Sequence, residues 1–352
     1  MRLFSTEQVT KYHPDKYADQ ISDAVLNACL EQDKDSRVAC ECMVKGTTVF
    51  LAGEITTKAK ILYKDIVEKV ARKLGYKVHQ IYNYIEEQSP EIGGAVKSGE
   101  DLRAGDQGIM FGYASDETRS GLPFAFDLAN KITLLLENDA ADPFSALVGD
   151  AKVQVTVDLE KCKEDSIVEI LISACHKESM SLEGIRSYIK TLIELSGIDI
   201  GEAKLNINPA GTWTIGGPAA DCGLTGRKIV CDQYGGYCAV GGGAFSGKDP
   251  SKVDRSASYM ARQIAKDLLE KYKLHFCEVQ LAYAIGESQP KSINVISSGT
   301  DEFDEWAGKT YIPDHYDLTP AGIIKHLDLL NVDYEKLSEG CHYRTTLPKR
   351  IK

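Results

Sequence analysis

Apolar positions along the chain recur with two periods, one typical of strands and one typical of helices. Residues 37–44 and 48–57 alternate in a way that predicts two strands. Residues 14–33 and 253–272 repeat apolar side chains every three or four positions, which predicts two long helices. The same criteria predict further helices near 61–74, 123–137, 182–196 and 320–330, and further strands near 109–113, 152–158, 167–174, 276–285 and 292–298. This mixture predicts an α/β mixed (α+β) fold with helices packed on sheets.

The alternation in the first predicted strand separates two faces. Val38, Cys40, Cys42 and Val44 fall on one face, which we expect to be buried. Glu41 falls on the opposite face, where we expect it to point into a cleft.

One glycine-rich stretch concentrates groups that suit an anionic ligand. Residues 241–255 read GGGAFSGKDPSKVDR, with three consecutive glycines followed by Lys248, Lys252 and Asp254. Glycines let backbone N–H groups approach a ligand closely. Together with ammonium groups and a carboxylate, such donors fit a polyphosphate that carries a divalent metal. The alternative is a glycine-rich surface turn with solvated charges.

A second interpretation of the same stretch is a phosphate-binding loop of an NTPase. Residues 242–249 fit the pattern G-x-x-x-x-G-K-[ST] except at the last position, where Asp249 replaces the hydroxyl. The preceding YGGYCAVGGG is also a poor apolar strand. This interpretation stays open as a runner-up.

The N-terminus of the first predicted helix carries another group of polar residues. Pro14 suits the first helical position, and Asp15 lies in the first turn, where the helix dipole favours negative charge. With His13 and Lys16, it could face a phosphate and a metal. The alternative is an ordinary helix start decorated with charges.

Length and charge narrow the class of protein. A chain of 352 residues with 43% apolar content suggests two or three domains. The net charge of −11 argues against general nucleic-acid binding. An anionic ligand must then be gathered by local cations, which we expect to be Arg227, Lys228, Lys248, Lys252 and Arg255.

The expected cellular compartment follows from three features: the apolar runs, the N-terminal residues and the cysteine spacing. No apolar run approaches the ~18–20 residues needed to cross a membrane, and the first ten residues show no secretory signal. The ten cysteines have no C-x-x-C spacing. We therefore expect reduced, mostly buried thiols in a cytoplasmic protein that binds neither membrane nor nucleic acid.

Several of these stretches together resemble the S-adenosylmethionine synthetase (methionine adenosyltransferase) family. They are HPDK with DQISDAVL, GEITT, QSP, AGDQG with MFGY, IGGPAADCGLTGRK and GGGAFSGKDPSKVDRSA, and the match runs to about residue 330. The resemblance implies three similar domains in a pseudo-threefold arrangement, at 1–92, 104–213 and 214–352, with a flexible active-site loop at 93–103. It also implies a homodimer, or a dimer of dimers (a homotetramer), with active sites between subunits.

The resemblance further implies a reaction. The sulfur of L-methionine attacks C5′ of ATP and displaces the triphosphate, which is then hydrolysed to pyrophosphate and phosphate. A neutral sulfur nucleophile needs no base, so catalysis should come mainly from cations around the leaving group and from alignment of sulfur and carbon.

Roles for individual residues follow from matching the motifs of that family. The implied catalytic residues are His13, Lys152, Arg227 and Lys248. The implied ATP-binding residues are His13, Asp150, Lys152, Trp213, Asp221, Arg227, Lys228, Ala244 and Lys248. The implied methionine-binding residues are Glu54, Gln88, Asp221 and Lys252. Asp15 and Asp254 would ligate two Mg²⁺ ions, and Glu41 would serve a K⁺ site.

Five residues at three sites depart from the family pattern. Lys11-Tyr12 stands where the family usually has Glu-Gly, Thr212-Trp213 replaces Arg-Phe, and Arg103 replaces the first glycine of GAGDQG. Tyr12 adds bulk beside His13. At the second site the guanidinium of the family's arginine is missing, but Trp213 can still stack on adenine. These departures motivate an alternative hypothesis: a catalytically weak paralogue that binds nucleotide and acts as a partner or regulatory subunit.

Overall fold

Three β-sheets with helices packed against them form the frame of the computed structural model, which describes residues 1–87 and 102–350. The strands are, in chain order, β1 (Leu3–Val9), β2 (Arg37–Lys45), β3 (Thr48–Thr56), β4 (Gln80–Glu86), β5 (Gly108–Ser115), β6 (Leu147–Asp158), β7 (Ile167–His176), β8 (Lys204–Ile207), β9 (Gly223–Leu224), β10 (Phe276–Tyr283) and β11 (Ser292–Ser297).

Five long helices and six short ones lie between these strands in the described residues. They are α1 (Pro14–Gln32), α2 (Tyr63–Lys73), α3 (Phe124–Ala140), α4 (Leu182–Ser196), α5 (Gly217–Ala220), α6 (Ile229–Asp232), α7 (Val253–Tyr272), α8 (Asp301–Trp306), α9 (Ile312–His315), α10 (Pro320–His326) and α11 (Tyr334–Leu337). Two 3₁₀ turns and one π turn complete the description, at Lys163–Ser166, Leu329–Asn331 and Ala307–Tyr311.

The sheets exchange strands along the chain. Their orders are β4-β3-β2-β9, β1-β6-β7-β8 and β11-β10-β5. We call these the N-terminal, central and C-terminal sheets, in that order. Strand β1, from the N-terminal part of the chain, pairs within the central sheet, and β5, from the central part, pairs within the C-terminal sheet. Strand β9, from the C-terminal part, pairs within the N-terminal sheet, so each part of the chain contributes one strand to another part's sheet. The pairs β3/β4 and β7/β8 are parallel and the others antiparallel, which confirms the mixed α/β class and fits a pseudo-threefold arrangement.

Helix starts follow the local sequence. Helix α1 begins after His13 with Pro14 in its first turn, and its Ile21 and Val25 are fully buried. Helix α4 begins at the Ser181 cap and ends at Gly197, which adopts the left-handed conformation, as the sequence predicts. Helix α10 is shorter than the predicted 320–330 because Asp328 has a φ of 50°, outside the helical region.

Strand β1 was not evident from periodicity, and its burial explains why. Thr6 and Gln8 face inward and are almost fully buried although they are polar. The Thr6 hydroxyl donates to the Gly235 carbonyl at 2.8 Å, and the Gln8 amide donates to the Cys231 carbonyl at 3.0 Å. Hydrogen-bonded polar residues on the inward face hide the apolar alternation that marks most strands.

The alternation of β2 is confirmed, since Val38, Cys40, Cys42 and Val44 are buried and Glu41 is exposed. All ten cysteines are free, and most of them are buried, as expected for reduced thiols. None of the helices described here combines the length and the hydrophobicity that a membrane span requires.

Candidate active site

Three carboxylates on one face of α1 hold two later loops in place. Asp15, Asp19 and Asp23 are spaced four residues apart, so they lie in a row along the helix. They accept hydrogen bonds from the backbone N–H groups of Leu224 at 3.0 Å, Gly226 at 2.9 Å and Gly247 at 2.9 Å, respectively. The row therefore fixes segment 223–228 and the glycine-rich loop 241–248 against the same helix.

The first group of charges, here the His13 cluster, consists of His13, Asp15, Lys152, Arg227 and Lys228. The imidazole of His13 is 2% exposed, and its Nδ1 accepts the N–H of Asp15 at 3.2 Å. Burial, with the nearby Lys228 and Lys152 ammonium groups, lowers the pKa of His13 to about 3. The ring is thus neutral at physiological pH, and it carries its proton on Nε2, where it can donate to an anionic oxygen.

Asp15 is ionised in this cluster. Its Oδ2 lies 2.6 Å from Lys228 Nζ, and its Oδ1 lies 3.8 Å from Arg227 Nε. Burial alone would raise the pKa of Asp15, but the hydrogen bonds from Lys228 and from the Leu224 N–H lower it. Arg227 is half exposed. The cluster therefore presents accessible positive charge beside a neutral hydrogen-bond donor.

The first half of β6 places Asp150 and Lys152 beside His13. Lys152 is exposed and influences the titration of both His13 and Asp150. Asp150 is buried, and its Oδ2 accepts the Gly217 N–H at 2.7 Å. Its Oδ1 has no hydrogen-bond partner among the residues that the structure describes. Burial raises the pKa of Asp150 to about 6, an effect that Asp221 reinforces.

The second group of charges, the Lys248 cluster, consists of Glu41, Lys248 and Asp254. Lys248 pairs with Ala39 in an isolated β-bridge, which anchors the glycine-rich loop to β2. Its Nζ lies 2.5 Å from Asp254 Oδ2. Glu41 is open to solvent, yet the protein that surrounds it removes part of its hydration and so raises its pKa, while Lys248 opposes the rise and Glu54 adds to it. The outward face of β2 thus carries Glu41 to the loop, as the alternation predicts.

Glycines allow the two clusters to approach each other. A Cβ on Gly243 would lie 2.5 Å from Cγ of Asp254. A Cβ on Gly226 would lie 2.5 Å from Cβ of Ala244, so the glycine-rich loop packs directly on segment 223–228, which carries Arg227. Any larger side chain at either glycine would separate the loop from its carboxylate or from the segment beneath.

The remaining predicted residues lie at the edges of this region. Trp213 donates from its indole to the Ile215 carbonyl at 2.7 Å, and the same segment continues to Gly216, where a Cβ would lie 3.1 Å from Cβ of Asp150. Glu54 lies opposite Ala39 in the sheet. Lys252 directs its ammonium to Asp249. Gln88 and most of the predicted loop 93–103 lie outside the described residues.

The predictions that Lys16 and Arg255 face a ligand are wrong. Lys16 is fully buried, with its Nζ 2.9 Å from Asp19 and 2.5 Å from Asp232. Arg255 is also fully buried and donates to both oxygens of Asp23, at 2.6 and 2.7 Å. Both cations stabilise the floor of the site and cannot reach a ligand. The four-residue spacing of Asp15, Asp19 and Asp23 was the signal that could have shown this row.

The phosphate-loop interpretation is also wrong. No strand of the described structure runs directly into residues 242–249. Asp249 is buried, and its Oδ2 accepts the Val38 N–H at 2.7 Å. Its carboxylate therefore serves the β2 edge and leaves no position for a loop hydroxyl.

The donor set fits a metal that is shared with a ligand. Asp15 and Asp254 each direct one oxygen to a lysine ammonium, so each carboxylate already faces a cation. No group of three or more possible protein ligands occurs within residues 1–87 and 102–350. Mg²⁺ commonly takes one or two carboxylates and completes its shell with water and phosphate oxygens. The two aspartates therefore suit Mg²⁺ that arrives with a polyphosphate.

Family models match the chain over nearly its whole length. The N-terminal domain of S-adenosylmethionine synthetase matches residues 1–93, its central domain matches residues 101–213 and its C-terminal domain matches residues 215–350. These matches agree with three repeated units, each with its own sheet and helices.

Individual relatives agree with the family models. An S-adenosylmethionine synthase of Brachyspira hyodysenteriae is 42% identical, over 98% of this chain and 94% of that protein. One of Desulfosudis oleivorans is 43% identical, over 98% of this chain and 93% of that protein. A solved structure of an unusual S-adenosylmethionine synthetase from Campylobacter jejuni superposes with a TM-score of 0.88 at 32% identity, covering 98% of this chain and 97% of that one. The chain therefore belongs to the S-adenosylmethionine synthetase family and is a methionine adenosyltransferase.

Proposed function

We propose that this transferase makes S-adenosylmethionine by direct attack of the methionine sulfur on C5′ of ATP, with release and hydrolysis of the triphosphate to pyrophosphate and phosphate. The observation that carries the proposal is the His13 cluster, in which a neutral imidazole donor lies among three accessible cations beside an ionised aspartate. The leaving triphosphate gains negative charge at the bridging oxygen, so fixed positive charge there lowers the barrier.

Each cation has a role that its placement supports. His13 donates from Nε2 to the leaving oxygen, since its Nδ1 is already engaged by the Asp15 N–H. Lys152, Arg227 and Lys228 hold the phosphates on the α1 side, and Lys248 holds them from the glycine-rich loop. Lys228 and Lys248 contact carboxylates in the structure, and both ammonium groups are partly exposed and so able to turn to a phosphate.

Metal ions belong to the general requirements of this family. We propose that Asp15 and Asp254 ligate two Mg²⁺ ions and that Glu41 supplies an oxygen to K⁺. When bound, these ions neutralise phosphate charge. The carboxylates of this chain contribute by holding that charge opposite the lysines of the two clusters.

Substrate contacts are proposed for the residues at the edges. Asp150 would accept from the ribose hydroxyls through its free Oδ1, and Trp213 would stack on adenine. Ala244 would contact the nucleotide from the glycine-rich loop. Glu54, Gln88, Asp221 and Lys252 would bind methionine.

The organisation beyond one site is also proposed. We infer domains at 1–92, 104–213 and 214–352 and an active-site loop at 93–103. Because β1, β5 and β9 each join the sheet of another segment, the units that pack together differ from these contiguous ranges by single strands. Two subunits would complete each active site, in a homodimer or a dimer of dimers.

The direct test is a product assay. Incubation with ATP, L-methionine, Mg²⁺ and K⁺ should yield S-adenosylmethionine together with pyrophosphate and phosphate. Formation of ADP without methionine, or nucleotide binding without product, would contradict the proposal. The relatives that match nearly the whole chain are named as synthases, so the hypothesis of a catalytically weak paralogue is not favoured.

A further inference from the structure

A second basic cavity lies away from the two clusters. It has a volume of about 470 Å³ and is lined by helix α7, the loop at 119–120 and the C-terminal segment 342–349. Small-molecule sites commonly have volumes of roughly 300–1,000 Å³. None of its lining residues belongs to the His13 cluster or the Lys248 cluster.

The charge of this cavity is opposite to that of the chain. Five cations line it, Arg119, Arg262, Lys266, Arg344 and Lys349, and no carboxylate does so among the residues that the structure describes. The whole chain has a net charge of −11. Such a concentration of one sign attracts anions to the cavity.

Arg262 gives the cavity a buried cationic floor. It is only 5% exposed, and its guanidinium donates to the carbonyls of Ser120 at 2.7 Å and Gly121 at 2.9 Å, and to that of Tyr113. The faces of Tyr234 and Tyr343 lie 5.9 and 5.8 Å from it. Carbonyls and rings orient this charge, but no carboxylate in residues 1–87 and 102–350 forms an ion pair with it. A buried charge normally has a counter-ion, and the adjacent cavity leaves space for an anion to supply one.

The cations at the rim differ in how far they are already engaged. Lys349 pairs with Asp328 at 3.2 Å, and Arg344 approaches Glu339 at 4.0 Å. Arg119 and Lys266 form no ion pair within the described ranges, so both remain available to a ligand. Three free or carbonyl-bound cations therefore converge on one cavity.

The other lining groups indicate the kind of anion. Ser120, Thr345 and Thr346 add hydroxyl donors, and Leu327 and Leu347 form an apolar edge. Arg262 and Lys266 lie on the same helix as Asp254 of the Lys248 cluster, eight and twelve residues further along. At 1.5 Å per residue, they are roughly 12 and 18 Å from Asp254 along the helix axis, so the cavity is separate from that cluster. We propose that this cavity is a second anion-binding site, which takes a small molecule that carries a diphosphate or triphosphate group.

Isothermal titration calorimetry in magnesium-free buffer tests the site, with inorganic pyrophosphate and ADP as probes. The background is Arg227→Ala/Lys248→Ala, which weakens phosphate binding at the active site. In this background both probes should still bind, and adding Arg119→Ala/Lys266→Ala should weaken binding at least about tenfold. Adding Lys190→Ala instead, an exposed lysine on α4, should leave binding unchanged. A thermal melt of each variant confirms folding.

The comparison of probes distinguishes the source of the phosphate. Tighter binding of ADP than of pyrophosphate would assign the site to an organic phosphate, and equal binding to an inorganic one. In otherwise unaltered enzyme, Arg119→Ala/Lys266→Ala should retain S-adenosylmethionine synthesis. Absence of binding in the background variant would overturn the proposal. Equal losses from Arg119→Ala/Lys266→Ala and from Lys190→Ala would overturn it as well, because the effect would then be one of general charge.

Discussion

Two layers of ion pairs with the same chemistry lie around α1 and the start of α7, and they differ in burial. In the floor, Arg255 with Asp23 and Lys16 with Asp19 are sealed from solvent. In the cleft, Lys228 and Lys248 keep 18% and 22% of their side chains exposed. Buried pairs cannot exchange partners without a large desolvation cost, whereas exposed ones can. The floor therefore fixes geometry, and the cleft supplies charge to a ligand.

The largest effect on stability should come from the floor. Asp23→Asn removes the charge that pairs with the fully buried Arg255, so the guanidinium would be left without a counter-ion. We expect a loss of about 3–5 kcal/mol in the free energy of unfolding, measured by urea denaturation. The control is Lys131→Ala, which removes an exposed pair with Asp127 and should cost about 0–1 kcal/mol. Similar losses in both variants would show that burial does not set the cost of losing a charge, which is the basis of the distinction between the layers.

The cleft should show the reverse pattern. Asp254→Asn keeps the shape of the side chain but removes the charge beside Lys248. We expect kcat to fall by a factor equivalent to about 3–4 kcal/mol in the barrier, with the free energy of unfolding nearly unchanged. Asp267→Asn on the same helix, where the carboxylate accepts from Tyr316, should keep kcat. If Asp254→Asn mainly unfolds the protein, Asp254 belongs to the floor.

Asp150 should add a pH dependence to nucleotide binding. Its pKa is raised to about 6, so the carboxyl gains a proton as the pH falls through that value. If the ionised form accepts from the ribose, KM for ATP should rise below about pH 6. Steady-state kinetics between pH 5 and 8 would show the rise in the unaltered enzyme. In Asp150→Asn the group that titrates is gone, so a matching rise in that variant would exclude Asp150 as its source.

The smallest effect concerns the departure at Tyr12. The hydroxyl of Tyr76 donates to the Tyr12 carbonyl, and the ring of Tyr12 lies against Gly149, where a Cβ would come within 2.6 Å. Tyr76→Phe should reduce the free energy of unfolding by about 1 kcal/mol, the usual net value of one hydrogen bond. Tyr82→Phe, on a 41% exposed ring, is the matched control and should be neutral. A neutral Tyr76→Phe would show that Tyr12 needs no such support.

The sequence was most informative where chemistry and periodicity coincide. The long helices α1 and α7 and the strand pair β2/β3 repeat apolar residues clearly, and the structure confirms them. Part of each cluster follows from a short motif, since His13 lies two residues from Asp15 and Lys248 lies six residues from Asp254. Local spacing is therefore sufficient to predict these two pairs, but not the distant residues that join them.

The burial of individual side chains and the pairing of distant segments could not be predicted from the sequence. Lys16 and Lys248 are both lysines in short charged motifs, and nothing in the motifs shows which of them is buried. Lys16 is buried because Asp232, far along the chain, packs against α1 and pairs with it. Strand β9 is two residues long, and its place beside β2 depends on Asp15 holding the Leu224 N–H. Such contacts join residues more than two hundred positions apart, which no periodicity encodes.

The central claim is that the cleft cations stabilise the departing triphosphate. The most direct test is the single-turnover rate constant of S-adenosylmethionine formation in Lys248→Ala, at saturating ATP and methionine, beside Lys190→Ala. The account predicts a fall of about a hundred- to a thousandfold in Lys248→Ala with folding intact. A rate within about twofold of the unaltered enzyme would contradict it, because so small a change, below about 0.5 kcal/mol, leaves no transition-state role for this charge.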